Sequence, residues 1–222
     1  MIIKVCGMRE AENIREIEAL GIDMMGFIFW SGSKRFVSKM PVYMPTKVKR
    51  VGVFVNENVE KVRRIAEIYE LDYVQLHGSE SPAYIQSLKS SILNPQFSII
   101  KVIKAFNIAD ASDFAQTEPY EGMADLFLFD TKGKMVGGNG QKFDWNMLKF
   151  YKGNTPYILS GGIGPEDSLK LQSLGLTNHP VGSNINPRCI GIDLNSRFEI
   201  AAGIKDIQKI KTFIQSLNRT SL

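Results

Sequence analysis

The chain has 222 residues, 44% of them hydrophobic and 23% charged, with a formal net charge of +4. That length suits one α/β domain with a sizeable core, while two distant cysteines, Cys6 and Cys189, exclude a disulfide scaffold. No apolar run reaches the roughly 18 residues of a membrane span, so no membrane partner is expected.

The basic residues are scattered, their densest runs being KVKR at 47–50 and KVRR at 61–64. These read as solvated faces and not as a nucleic-acid surface, and a modest positive balance suits a small anionic ligand. His77 and His179 stand apart and no Cys-x-x-Cys spacing occurs, so no metal is expected. The first residues form a strand without a signal-peptide layout, and the expected location is the cytoplasm.

In chain order, the first strand is IIKVC (2–6). It is followed by REAENIREIEALG, where Ile14, Ile17 and Leu20 share a helical face and Gly21 stops it. The strands MMGFIF (24–29) and RVGVFV (50–55) come next, then NVEKVRRIAEIYEL, with Val59, Val62, Ile65 and Ala66 at helical spacing. YVQLH (73–77) is the fourth strand, and SLKSSILNPQFS (87–98) reads as a loop-containing insertion with an Asn94-Pro95 turn. IIKVIKAF (99–106), DLFLFD (125–130), YILSGG (157–162) and GIDLN (191–195) complete eight strands, with helical patterns in GPEDSLKLQSLG and GIKDIQKIKTFIQSL.

Eight strands separated by helices call for parallel pairing, because parallel neighbours need long crossovers. Nearly all-apolar strands are expected where both faces are covered. The predicted fold is a single (β/α)8 TIM barrel over residues 1–222 with a parallel eight-stranded core. A doubly wound open sheet is the alternative, but no G-x-G-x-x-G follows the first strand.

Barrel chemistry sits where strands end and the following loops begin. Cys6 ends strand one, His77 strand four, Asp130 strand six and Asp193 strand eight, and Arg35 lies in the loop after strand two. Cys6 is either a small buried hydrophobe or a base, the second requiring thiolate character. Asp130 follows four apolar residues and is expected to be buried among Phe127, Leu128 and Phe129, so it must meet a partner such as Lys132 or a ligand. Arg35 offers a planar fork for a carboxylate. His77 reads equally as ligand-facing or as a hydrogen-bonded core histidine. Cys189 reads as structural.

Three loops are rich in small residues: GGNG (137–140), SGGIGPED (160–167) and DLNSRFE (193–199). Small residues let backbone N–H groups approach an anion, and the second and third loops are each expected to run into a helix start. Gly161, Gly162, Asn195, Ser196 and Arg197 are the candidate phosphate contacts.

The stretches KVCGMR, GFIFWSGSKRFV, VGVFVN, LDYVQLHG, VIKAF, LFD, GGNGQKFDW, LSGGIGPED and GIDLNSRFE, read in order, resemble the phosphoribosylanthranilate isomerases of tryptophan biosynthesis. The resemblance runs from residue 4 to about residue 206. It implies an Amadori rearrangement of N-(5-phosphoribosyl)anthranilate without metal or cofactor, with Cys6 as the catalytic base and Asp130 as the acid. It also implies that Arg35 contacts the anthranilate moiety, and that the glycine and Asn-Ser loops hold the phosphate. The family usually has glycine where this chain has Arg197. The partner expected is a small phosphosugar-anthranilate, with His77 and Asp193 as further substrate contacts. A monomer is the expected state, a homodimer the alternative.

The competing readings are a related phosphosugar barrel and a non-catalytic phosphometabolite-binding barrel. The histidine-pathway isomerase would carry aspartates at the ends of strands one and five, where this chain has Cys6 and Ala105-Phe106. Indole-glycerol-phosphate synthase would need a lysine on strand two, and GFIFW offers none. A binding module would be expected to lack the acid and the base, and both are present.

Overall fold

In the computed structural model, which describes residues 1–91, 100–131, 144–174 and 188–218, strand β1 (Ile2–Cys6) pairs in parallel with both β2 (Met24–Ile28) and β8 (Cys189–Leu194). That double pairing closes the sheet. Between them run β3 (Lys49–Phe54), β4 (Tyr73–Leu76), β5 (Lys101–Ile108), β6 (Leu126–Thr131) and β7 (Tyr157–Leu159), each parallel to its neighbours in the order β1 to β8. The predicted eight-stranded barrel is therefore the observed one, and the open doubly wound sheet is not.

Side chains alternate between the two faces of each strand. Met24, Val51, Ile103, Ala105, Leu126, Leu128 and Ile158 fill the barrel's interior. Their neighbours, among them Val5, Phe27, Val74, Phe106, Phe127 and Phe129, pack outward in a second apolar layer. This two-sided burial is why the strands carry few polar residues.

The outer layer holds α1 (Ala11–Glu18), α2 (Val59–Ile68), α3 (Pro82–Ser91), α4 (Ser168–Ser173) and α5 (Ile207–Asn218). Asn58 caps α2, its side-chain oxygen accepting from the Glu60 N–H at 2.9 Å. Among the described residues no helix is long and apolar enough to cross a membrane.

Four expectations change. Residues 29–48, between β2 and β3, contain no helix; Pro41 and Pro45 interrupt them, and no 3.6-residue apolar period is present. The connections after β5 and β6 use 3-10 helices (Ala111–Tyr120 and Trp145–Phe150) in place of α-helices. Residues 87–91 belong to α3 and not to a loop, while the Asn94-Pro95 turn lies outside the described residues. Finally, the last helix starts only at Ile207, because β9 (Glu199–Ala201) and β10 (Ile204–Lys205) first form an antiparallel hairpin. Gly203, at φ +83°, makes that turn.

One irregularity positions the site. Tyr157 pairs with Cys189 but Ile158 pairs with Gly191, so β8 carries an extra residue there. Past that bulge, Gly191 and Asp193 sit opposite Ile2 and Lys4. The Asp193 carboxylate thereby reaches the barrel interior.

Candidate active site

A cleft of about 890 Å³, open mouth included, lies at the carboxyl ends of the strands. All ten sequence-nominated residues line it. Cys6, His77, Asp130 and Asp193 reach it from the strands or just beyond, and Arg35 from the loop after β2. Gly161, Gly162, Asn195, Ser196 and Arg197 line it from the loops after β7 and β8. The GGNG loop at 137–140, Lys132 and His179 lie outside the described residues.

The floor is a buried ion pair. Lys4 Nζ stands 2.9 Å from Asp193 Oδ1, with side chains 0% and 5% exposed. Burial alone would lower the pKa of Lys4, but Asp193 and Cys6 beside it together offset this and hold the ammonium above its usual range. Ser160 Oγ donates to the other oxygen of Asp193 at 3.4 Å.

Cys6 is buried above this pair. Burial pushes its thiol above the ordinary value, Lys4 and Lys205 pull it down, and Asp193 adds to the rise. The resting site therefore favours the thiol, because desolvation outweighs the two nearby ammoniums. Cys189 lies away from the cleft, and burial pushes its thiol up to about 12.

Asp130 is held differently from expectation. Phe127 and Phe129 point outward, and only Leu128 shares its face, because alternate residues of a strand face opposite ways. Asp130 Oδ1 accepts the Thr131 N–H at 2.8 Å, and Oδ2 lies 3.4 Å from His77 Nε2. Gly161, at φ +85°, packs directly against this carboxylate. A Cβ there would sit 2.8 Å from Asp130 Oδ1 and collide with Thr131.

The fork of Arg35 is engaged internally. Nε donates to Glu199 Oε1 at 2.8 Å and Nη2 to Oε2 at 2.6 Å. Lys205, fully buried, donates to Glu199 Oε1 at 2.6 Å and to Asn195 Oδ1 at 2.8 Å. The side-on fork of the guanidinium is thus spent on Glu199. Beside Arg35 the wall is apolar, made by Ile28, Trp30, Val53 and Val55.

Across the mouth, Arg197 Nη2 donates to Glu166 Oε1 at 2.6 Å and ties the loop after β8 to the loop after β7. The loop after β8 does not run into a helix start. It makes one 3-10 turn (Ser196–Phe198) and enters the hairpin. Sequence reading missed Lys4, Gln75, Glu199 and Lys205. Their parity on the strands placed Lys4 and Gln75 inward, but no local signal tied Glu199 to Arg35.

Comparison with known proteins decides which barrel this is. The family model for N-(5'phosphoribosyl)anthranilate (PRA) isomerase matches residues 3–216. The chain belongs to that family. It is 47% identical to the isomerase of Parabacteroides distasonis over 98% of this chain and 93% of that one. It is 46% identical to that of Phocaeicola vulgatus, covering 99% and 98%. The crystal structure of phosphoribosyl anthranilate isomerase from Thermotoga maritima superposes with a TM-score of 0.79 at 31% identity, covering 98% of both chains. A further isomerase structure, in complex with reduced 1-(o-carboxyphenylamino)-1-deoxyribulose 5-phosphate, gives 0.74 at 28% identity, again over 98% of both. The isomerase acts in tryptophan biosynthesis, and the readings as another phosphosugar barrel or as a binding module fall away.

Proposed function

We propose that Cys6 and Asp130 carry the proton transfers by which this isomerase converts N-(5'-phosphoribosyl)anthranilate to 1-(2-carboxyphenylamino)-1-deoxyribulose 5-phosphate. The observation that supports this most directly is the shared cleft. A thiol on β1 and a carboxyl group on β6 open into one cavity whose rim is built of small-residue loops.

Asp130 gives a proton to the ribose ring oxygen as the bond from that oxygen to C1 breaks, leaving a Schiff base with the anthranilate nitrogen. The C2 proton is now acidic, and Cys6, as thiolate, removes it. The resulting enolamine takes a proton at C1 and loses one from the C2 hydroxyl, giving the aminoketose. No electrons leave the substrate, so acid–base groups suffice without metal or cofactor. Burial favours the thiol at rest, and Lys4 and Lys205 are the cations that offset this when the thiolate forms.

The substrate lies along the cleft. Its aromatic ring packs on Trp30, Ile28, Val53 and Val55, its carboxylate meets the free edge of Arg35, and Asp193 and His77 face the ribose. Gly161, Gly162, Asn195, Ser196 and Arg197 hold the phosphate at the far end, which fixes C2 relative to Cys6. The chain works as a monomer of 24.9 kDa in the cytoplasm. Purified protein is expected to consume the fluorescent anthranilate substrate at an undiminished rate in excess chelator. Loss of turnover under chelation overturns the acid–base reading, and a doubled mass in light scattering overturns the monomer.

A further inference from the structure

Gln75 is an expensive residue for the place it occupies. It sits inside the barrel on β4, 1% exposed, and among the described residues its Oε1 has no hydrogen-bond partner. Its amide nitrogen makes one bond, 2.9 Å to His77 Nδ1. A buried amide left half satisfied lowers stability, so its one bond is what calls for explanation.

That bond has a chemical consequence. An amide nitrogen only donates, so His77 Nδ1 accepts, and the neutral ring must carry its proton on Nε2. His77 Nε2 lies 3.4 Å from Asp130 Oδ2 and has no hydrogen-bond partner of its own among the described residues. Asp130 Oδ1 is meanwhile fixed by the Thr131 N–H. Gln75, His77 and Asp130 all line the cleft.

We propose that Gln75 is a positioning residue for Asp130 that acts through His77, holding the imidazole with its proton on Nε2 and that N–H beside the carboxyl group. When Asp130 gives up its proton to the ring oxygen, the carboxylate left behind meets a donor already in place. No proton passes through the imidazole. This rests on Asp130 being the acid.

The test reads the tautomer directly, by long-range ¹H–¹⁵N correlation of the histidine rings in the full ¹⁵N-labelled chain at a pH where they are neutral. Gln75→Glu replaces the donor with an acceptor and is expected to move the His77 proton to Nδ1. Its kcat should fall about tenfold or more with KM within about twofold, the pattern of a lost supporting hydrogen bond. His179→Gln assigns the remaining signals to His77. If Gln75→Glu does not fold, Gln75→Met, which offers neither donor nor acceptor, should leave a mixture of tautomers and a smaller loss of kcat. An Nδ1–H tautomer in the unmodified protein overturns the proposal, as does a tautomer change with kcat intact. Full turnover by Asp130→Asn would instead sink the acid assignment, leaving the tautomer result to stand by itself.

Discussion

Arg35 and Glu199, 164 positions apart in the chain, are joined by two parallel hydrogen bonds of 2.8 and 2.6 Å. The pair is largely buried, with side chains 15% and 6% exposed, and Glu199 also neutralises Lys205. Replacing Glu199 with Gln leaves two largely buried cations without their shared carboxylate. Such a loss costs on the order of 3 kcal/mol, and a guanidinium freed from its anchor should bind the substrate carboxylate poorly. Chemical denaturation should show the destabilisation, and steady-state kinetics a raised KM with a smaller change in kcat.

The same carboxylate predicts an acid-sensitive fold. Burial works against the charged form of Glu199, but Arg35 and Lys205 outweigh it and hold its pKa below the usual 4.5. A pKa lowered by folding contributes stability that is complete above the unfolded value and disappears as pH falls through the folded one. Thermal midpoints of the unmodified protein should therefore drop as pH falls below about 4.5, and Glu199→Gln should show a shallower dependence over the same range. Equal slopes in the two proteins would disprove the assignment.

Cys6→Ala and Asp130→Asn should each lower kcat about a hundredfold or more, the usual contribution of a positioned acid or base. Neither should unfold the protein. Near-normal turnover in either variant removes that residue from the mechanism.

Thiol chemistry separates the two cysteines. Burial raises both, and only Cys6 borders the cleft. Alkylation followed by peptide mass mapping should label Cys6 before Cys189, with a rate that climbs with pH past the ordinary thiol value of 9.0. A Cys6 rate that has levelled off by pH 7 would mean a resting thiolate and contradict the geometry.

Arg197 and Glu166 give a pair of opposite predictions. Their contact is exposed, with side chains 42% and 52% accessible, so breaking it should change stability by no more than about 0.5 kcal/mol. If the guanidinium serves the phosphate, Arg197→Gly raises KM and weakens its dependence on salt, while Glu166→Gln frees the guanidinium and lowers KM. Parallel changes in the two variants would show that the clasp, and not the arginine, is what matters.

Much of this molecule could be read locally. The first strand, Ile2–Cys6, was delimited residue for residue by its apolar run and the glycine after it. Most of the other strands are legible to within two residues, because a strand buried on both faces is largely apolar whatever it pairs with. The positions of Cys6, His77, Asp130 and Asp193 at strand ends followed from the same pattern, as did the small residues of the rim loops. Family membership was legible too, since its short stretches come in order along nearly the whole chain.

What surrounds those residues was not local. The partner of Arg35 sits on a hairpin that the helical spacing of residues 203–217 concealed, and the two meet only when β8 closes against β1. The bulge in β8 that turns Asp193 towards Lys4 depends on pairing with β7, which no window of a few residues records. The resting form of the Cys6 thiol depends on how deeply the finished barrel buries it relative to two lysines. Alternation along a strand is set by backbone geometry and so appears in the sequence. Desolvation and ion pairing arise only when distant segments exclude water together, and those were decided by the tertiary structure.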